Sequence, residues 1–180
     1  LVIDQFKTWA CLISCIGLCS CGAKVDRLQS QFLSSSKQEP ALSGNGEKLA
    51  LIVDYKGRST IQLRDLRTGN IVPLRHLSRN QPHSSPSISW NARYVAVIAQ
   101  RGNRRLAIIE DRLTGRHHQI PLPGERTPVR ISLAPDGRRL AVQVADKGKW
   151  RIELFDLTQK IEPDNFSGSR VLENSEVTGR

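Results

Sequence analysis

A chain of 180 residues, 38% of them apolar, can bury one core, and a second independent domain would be cramped. Thirteen glycines and nine prolines beside few aromatic residues favour many turns over long helices, and no uncharged apolar run is long enough for a membrane-spanning helix. The formal charge of +10 points to an anionic partner such as nucleic acid, acidic glycan or lipid headgroup, although basic residues scattered through turns more often serve as a solubilising surface.

All four cysteines, Cys11, Cys15, Cys19 and Cys21, fall at the N-terminal end, so the rest of the chain holds neither a disulfide nor a thiolate metal site. Their spacing, C-x3-C-x3-C-x-C, matches no common zinc pattern, and the neighbours Trp9, Leu12, Ile13, Ile16 and Leu18 are oily. A core helix with incidental thiols is a second reading. The third is an export signal: Lys7 ends a short n-region, "TWACLISCIGL" (8–18) is an apolar h-region, and "LCSCG" (18–22) follows. That last stretch resembles the lipobox of bacterial lipoproteins, with Leu18 at −3, Ser20 at −1 and Cys21 as the invariant cysteine. The resemblance implies a signal peptide over 1–20 and lipidation of Cys21. Cys15 in "LISC" fits the same box but leaves too short an apolar segment after Lys7. Asp4 and the initial Leu depart from the pattern.

Residues 21–39 turn polar and rich in Ser and Gln, the composition of a flexible tether, with a short amphipathic helix near Val25–Phe32 as the alternative. From Pro40 the chain repeats itself. Ala50, Ala96 and Ala141 recur with apolar flanks, and Asp65, Asp111 and Asp156 recur at the same intervals. Each Asp closes an alternating stretch: "TIQLRD", "LAIIED" and "RIELFD". Thr68-Gly69 and Thr114-Gly115 follow the first two, glycine supplying the positive φ of a tight turn, and each leads to a short strand ending in Val-Pro-Leu or Ile-Pro-Leu.

A repeat of roughly 40–45 residues holding four short strands is the signature of a β-propeller blade. The expectation is an all-β chain of three four-stranded blades, about 40–83, 84–127 and 128–162, followed by a polar tail over 163–180. "LAVQVA" (140–145) is apolar at nearly every position, as expected of a sheet sandwiched between two neighbours. The recurring alanines fit a crowded inner end of a blade or close packing against the next sheet.

"PVRISLAPDGRRLAVQVADKGKWRIELFDLTQ" (128–159), with Pro135, Asp136, Gly137, Leu140, Ala141 and Asp156, resembles the TolB-type propeller repeat. The middle unit carries Trp90-Asn91-Ala92 at the turn, the first Gly44-Asn45-Gly46, and the last has Gln159 in place of the turn glycine. That family spans periplasmic binding proteins, propeller lids of peptidases and modules without known activity, so the resemblance implies a fold more than a function. Closed propellers usually need at least four blades. Three therefore leave three outcomes open: a ring completed by a homodimer, an open arc capped by its own flanking segments, or a marginally stable remnant.

No nucleophile elbow, zinc-protease or nucleotide-binding motif occurs, and no cofactor or metal is expected. His117 and His118 are adjacent, so a strand would point them to opposite faces. His76 and His83 also lack ligand spacing. The periodic aspartates suit strand-end turns, where a short carboxylate accepts backbone N–H bonds. "RGNRR" (101–105) reads as a hairpin tip. If blade-edge loops converge, Arg101, Arg104, Arg105, Arg116, Arg138 and Arg139 would form a cationic rim. The resulting expectation is a non-catalytic binding module of the bacterial envelope, held at a membrane and meeting an envelope protein or anionic polymer. A nucleic-acid binder is the alternative, weakened by the scarcity of aromatic residues for base stacking and by the export signal. A degenerate hydrolase-type propeller is the third.

Overall fold

The structure is a computed structural model that describes residues 36–77, 81–124 and 126–164. The signal-like segment, Cys21, most of the tether and nearly all of the tail lie outside the described residues. The chain divides after Ser30 into two units, and every described residue belongs to the second.

Eleven strands and no helix make up the described residues. They form three antiparallel sheets in chain order. The first holds β1 (Lys37–Leu42), β2 (Lys48–Tyr55), β3 (Arg58–Asp65) and β4 (Ile71–Val72). The second holds β5 (His83–Ile88), β6 (Tyr94–Arg101), β7 (Arg104–Asp111) and β8 (Arg116–Ile120), and the third β9 (Thr127–Leu133), β10 (Arg139–Asp146) and β11 (Lys149–Asp156). Neighbours in sequence are neighbours in each sheet, and β5 lies against both β1 and β9, so the first strands of the three blades sit together. This is the expected blade architecture.

Local chemistry fixes the corners. The hairpins at Lys56-Gly57 and Lys147-Gly148 carry positive φ at both central residues, the requirement of the tight turn that matches strand twist. At the first turn of each blade, Gly46, Ala92 and Gly137 take φ of 73°, 55° and 81°. Each N–H returns to a carbonyl three residues earlier, on Ser43, Ser89 and Ala134. Ala92 holds a conformation that normally selects glycine. The step of 46 and then 45 residues is therefore written into backbone conformation as well as sequence.

Two apolar layers hold the blades together. Ala50, Ile52, Ile61 and Leu63 on the forward face of blade 1 meet Ile88, Val95, Val97 and Ile108 of blade 2. Ala96, Ile98, Ala107 and Ile109, the forward face of blade 2, meet Ile131, Leu133, Leu140, Val142 and Val144 of blade 3. Ala50 and Ala96 have no exposed surface and belong to these layers, so the recurring alanine reflects close approach of the next sheet.

The third blade departs from expectation: among the described residues it has three strands. Gly69 and Gly115, four residues beyond the strand-end Asp, take left-handed conformations and return their N–H groups to Asp65 and Asp111 at 2.8 Å. The same position after Asp156 is Lys160, beside Gln159, and no glycine is there to make the turn. The N–H groups of Lys160 and Ile161 close instead on the carbonyl of Leu157, at 2.8 and 3.0 Å. The chain then runs back beneath the joint of blades 2 and 3, burying Leu157 and Ile161 in their shared core. The expected sandwiching of "LAVQVA" is also one-sided. Val142 and Val144 are buried, whereas Ala141 and Gln143 face the open side.

Candidate interaction surface

Each blade has two edges. One carries the hairpins β2–β3, β6–β7 and β10–β11, and the other the turns between first and second and between third and fourth strands. Arg101, Arg104 and Arg105 lie at the hairpin edge of blade 2. Arg116, Arg138 and Arg139 lie at the opposite, turn edge. The six arginines thus form two groups rather than one rim.

At the hairpin edge a cleft of about 480 Å³ opens between the tip of blade 2 and the start of blade 3, lined in part by Arg104, Arg105, Gln119 and Arg126. Arg105 donates to the Ser84 hydroxyl at 2.9 Å, and Arg126 is held by Asp146 and Glu153. Arg101 and Arg104 are exposed, and neither has a carboxylate partner among the described residues.

At the turn edge the strand-end carboxylates are engaged, while Arg116 and Arg139 are exposed. Lys48 meets Asp65 at 2.9 Å; that hydrogen bond, together with the backbone N–H of Thr68, holds the Asp65 carboxyl well below the usual range. Arg93 grips Asp111 with two prongs at 3.2 and 3.1 Å and reaches Glu162 at 2.9 Å. Burial pushes Asp111 up, but the Arg93 bond and the N–H groups of Leu113 and Thr114 outweigh it and leave the carboxyl lowered. Asp156 is lowered by Thr158 first and then by the fields of Arg139 and Arg138. The periodic carboxylates accept N–H bonds from residues two further on, Arg67, Leu113 and Thr158, as a turn-fixing role requires.

The histidines separate. His117 is opposite Glu110 in the ladder and His118 opposite Ile109, so the pair points to opposite faces. His117 lies against the ring of His76, with centroids 4.6 Å apart, and Nε2 of His76 donates to the Gly115 carbonyl at 2.6 Å. Among the described residues no cluster of His, Cys, Asp and Glu is arranged to hold a metal.

Three polar residues were not legible as important. Glu110, 1% exposed, accepts N–H bonds from Arg75, His76 and Leu77 at 2.7, 2.7 and 3.1 Å and so pins the connection between blades 1 and 2. Asp164 is buried, takes the Ser89 hydroxyl at 2.5 Å and the Asn91 N–H at 2.8 Å, and donates its own N–H to the Asp136 carbonyl. His83 is buried beside Thr60. The one available signal for Glu110 is a break in the period, since Arg64 and Phe155 stand at its equivalents.

No family model and no curated protein matches the chain. Solved structures do. TolB from Acinetobacter baumannii superposes with a TM-score of 0.54 at 16% identity, over 69% of this chain and 31% of that one. The β-propeller domain of the Trilobed protease from Pyrococcus furiosus, described as having an open velcro topology, gives 0.52 at 16% identity over 73% and 41%. Puromycin hydrolase gives 0.53 at 16% identity over 69% and 19%. The chain therefore spans less than half the length of each. Identity at this level speaks to fold alone, and the fold shared with all three is that of the β-propeller, of which this chain has three blades.

Proposed function

We propose that the chain is a non-catalytic binding module of the bacterial cell envelope, anchored through a lipid on Cys21 and presenting its hairpin edge to a protein partner. The observation that carries this reading is the division of charge. Carboxylates at the strand ends are consumed in turns and ion pairs, whereas Arg101 and Arg104 stand exposed beside an open cleft. Engaged carboxylates are poorly placed for acid–base work, and exposed guanidinium groups suit the acidic rim of a partner surface. The TolB-like architecture is compatible with an envelope setting. An anionic polymer is the second reading, favoured by the same arginines.

Two measurements test the proposal. Labelling with a palmitate analogue is expected in the native chain and lost in Cys21→Ala; labelling in neither removes the anchor, and unchanged labelling moves it. The double change R101E/R104E is expected to weaken capture of an envelope protein at least tenfold with thermal stability unaltered. Undiminished capture refutes the hairpin edge. Binding that collapses uniformly with salt, for any polyanion offered, favours the polymer.

A further inference from the structure

We infer that the outer edge of β11 is a self-association surface, through which two copies of the chain pair β11 against β11 antiparallel about a two-fold axis at Ile152. This goes beyond the binding role proposed above and does not depend on it.

In blades 1 and 2 the third strand is covered twice: a fourth strand pairs with its edge, and the next blade buries its forward face. β11 has neither cover among the described residues. Trp150, Ile152 and Leu154 alternate along one face of it and are 66%, 63% and 80% exposed. A long apolar edge strand with unpaired backbone groups is a template for pairing with another chain.

What fits there is not a further stacked blade. Stacking in this molecule uses a ladder along the first strands: Glu39 accepts the N–H of Ser85, and the Ser85 hydroxyl accepts the N–H of Ile131 at 2.8 Å. The next acceptor in that series would be Ile131, which has none to offer. At the turns, the Trp90 N–H donates to the Pro135 carbonyl at 2.7 Å, and Pro135, the equivalent residue of blade 3, has no N–H to pass on. Gln143 also stands where the forward faces of blades 1 and 2 carry Ile52 and Ile98. Ile152 and Leu154 keep the apolar character of their equivalents Ile61 and Leu63, and Ala107 and Ile109, so the polar break in the forward face of blade 3 lies in its middle strand.

The edge strand is complementary to itself. "KWRIELFD" (149–156) carries its basic residues in the first half and its acidic ones in the second. Antiparallel pairing centred on Ile152 sets Trp150 opposite Leu154 of the other copy and Arg151 opposite Glu153, twice by symmetry. Opposite charges and large apolar residues directly across strands are the favourable cross-strand pairs, and an interface using one patch on both copies closes at two. Arg151 and Glu153 are already linked to Asp146 and Arg126, so the new pairs would extend existing networks.

The test is disulfide trapping in the full chain with its four cysteines changed to serine. Facing Cα atoms in an antiparallel ladder lie about 4.5–5.5 Å apart, within disulfide reach. Ile152→Cys is therefore expected to give a covalent dimer on mild oxidation, while Arg104→Cys at the hairpin edge gives none. Sedimentation of the same chain without added cysteine is expected to show a dimer. Arg151→Glu or Glu153→Arg alone should weaken it about tenfold, and the two together should restore it. A monomer at tens of micromolar, failure of Ile152→Cys to cross-link, association that closes a ring without that cross-link, or lack of rescue by the double change each overturns the inference.

Discussion

His83 offers a direct test of whether the joint between blades 1 and 2 is as dry as the packing requires. The side chain is 2% exposed at the start of β5. Its Nδ1 lies 3.2 Å from the Thr60 hydroxyl and accepts from the Ile61 N–H at 3.4 Å, so the neutral ring carries its proton on Nε2, which has no partner among the described residues. Burial pushes the imidazole down from 6.5 to about 4. The folded protein therefore binds fewer protons than the unfolded chain between those values, and stability falls as pH drops through that window and is level outside it. Between pH 7 and pH 5 the loss from this one group is about 2 kcal/mol, order of magnitude, at 1.36 kcal/mol per pKa unit. Urea unfolding followed by tryptophan fluorescence at both pH values, in the native chain and in His83→Asn, isolates the effect. Asn keeps an acceptor near the Nδ1 position and does not titrate. The native chain should lose about 2 kcal/mol more than the variant on acidification. Equal losses, or an imidazole resonance that titrates near its ordinary value, would refute the burial argument.

Two further substitutions probe the joint between blades 2 and 3. A Cβ on Gly137 would come within 2.6 Å of the Tyr94 ring, at a φ of 81° that disfavours any side chain; Gly137→Ala should cost about 2–4 kcal/mol in the same unfolding assay, and a loss below 1 kcal/mol would show that the ring moves aside freely. Asp164→Ala removes the acceptor shared by Ser89 and Asn91 and should cost about 2–3 kcal/mol while raising hydrogen exchange at the Asn91 amide; unchanged exchange there would contradict the contact.

The sequence disclosed what is periodic. Ala50 and Ala96 recur because the next sheet approaches closely, and Asp65, Asp111 and Asp156 recur because each fixes the same strand-end turn. It disclosed poorly what happens once. Glu110, His83 and Asp164 act through partners 22–75 residues away, and no local pattern marks them. The shortened third blade was foreshadowed by the missing turn glycine, whose place is held by Lys160 rather than by Gln159, but only the path of residues 157–164 reveals where the chain goes instead. The arginines could be seen as numerous, whereas their assignment to two opposite edges depends on strand direction.

The return of residues 157–164 beneath the middle blade has a consequence for biosynthesis. Ser89 and Asn91 emerge from the ribosome more than seventy residues before Asp164, and Tyr94 emerges 68 residues before Glu162, whose carbonyl its hydroxyl meets at 2.6 Å in the finished protein. Until residues 157–164 are translated, Ser89, Asn91 and Tyr94 lack these acceptors. A growing chain therefore cannot complete these hydrogen bonds of the middle blade before residues 157–164 are made and docked.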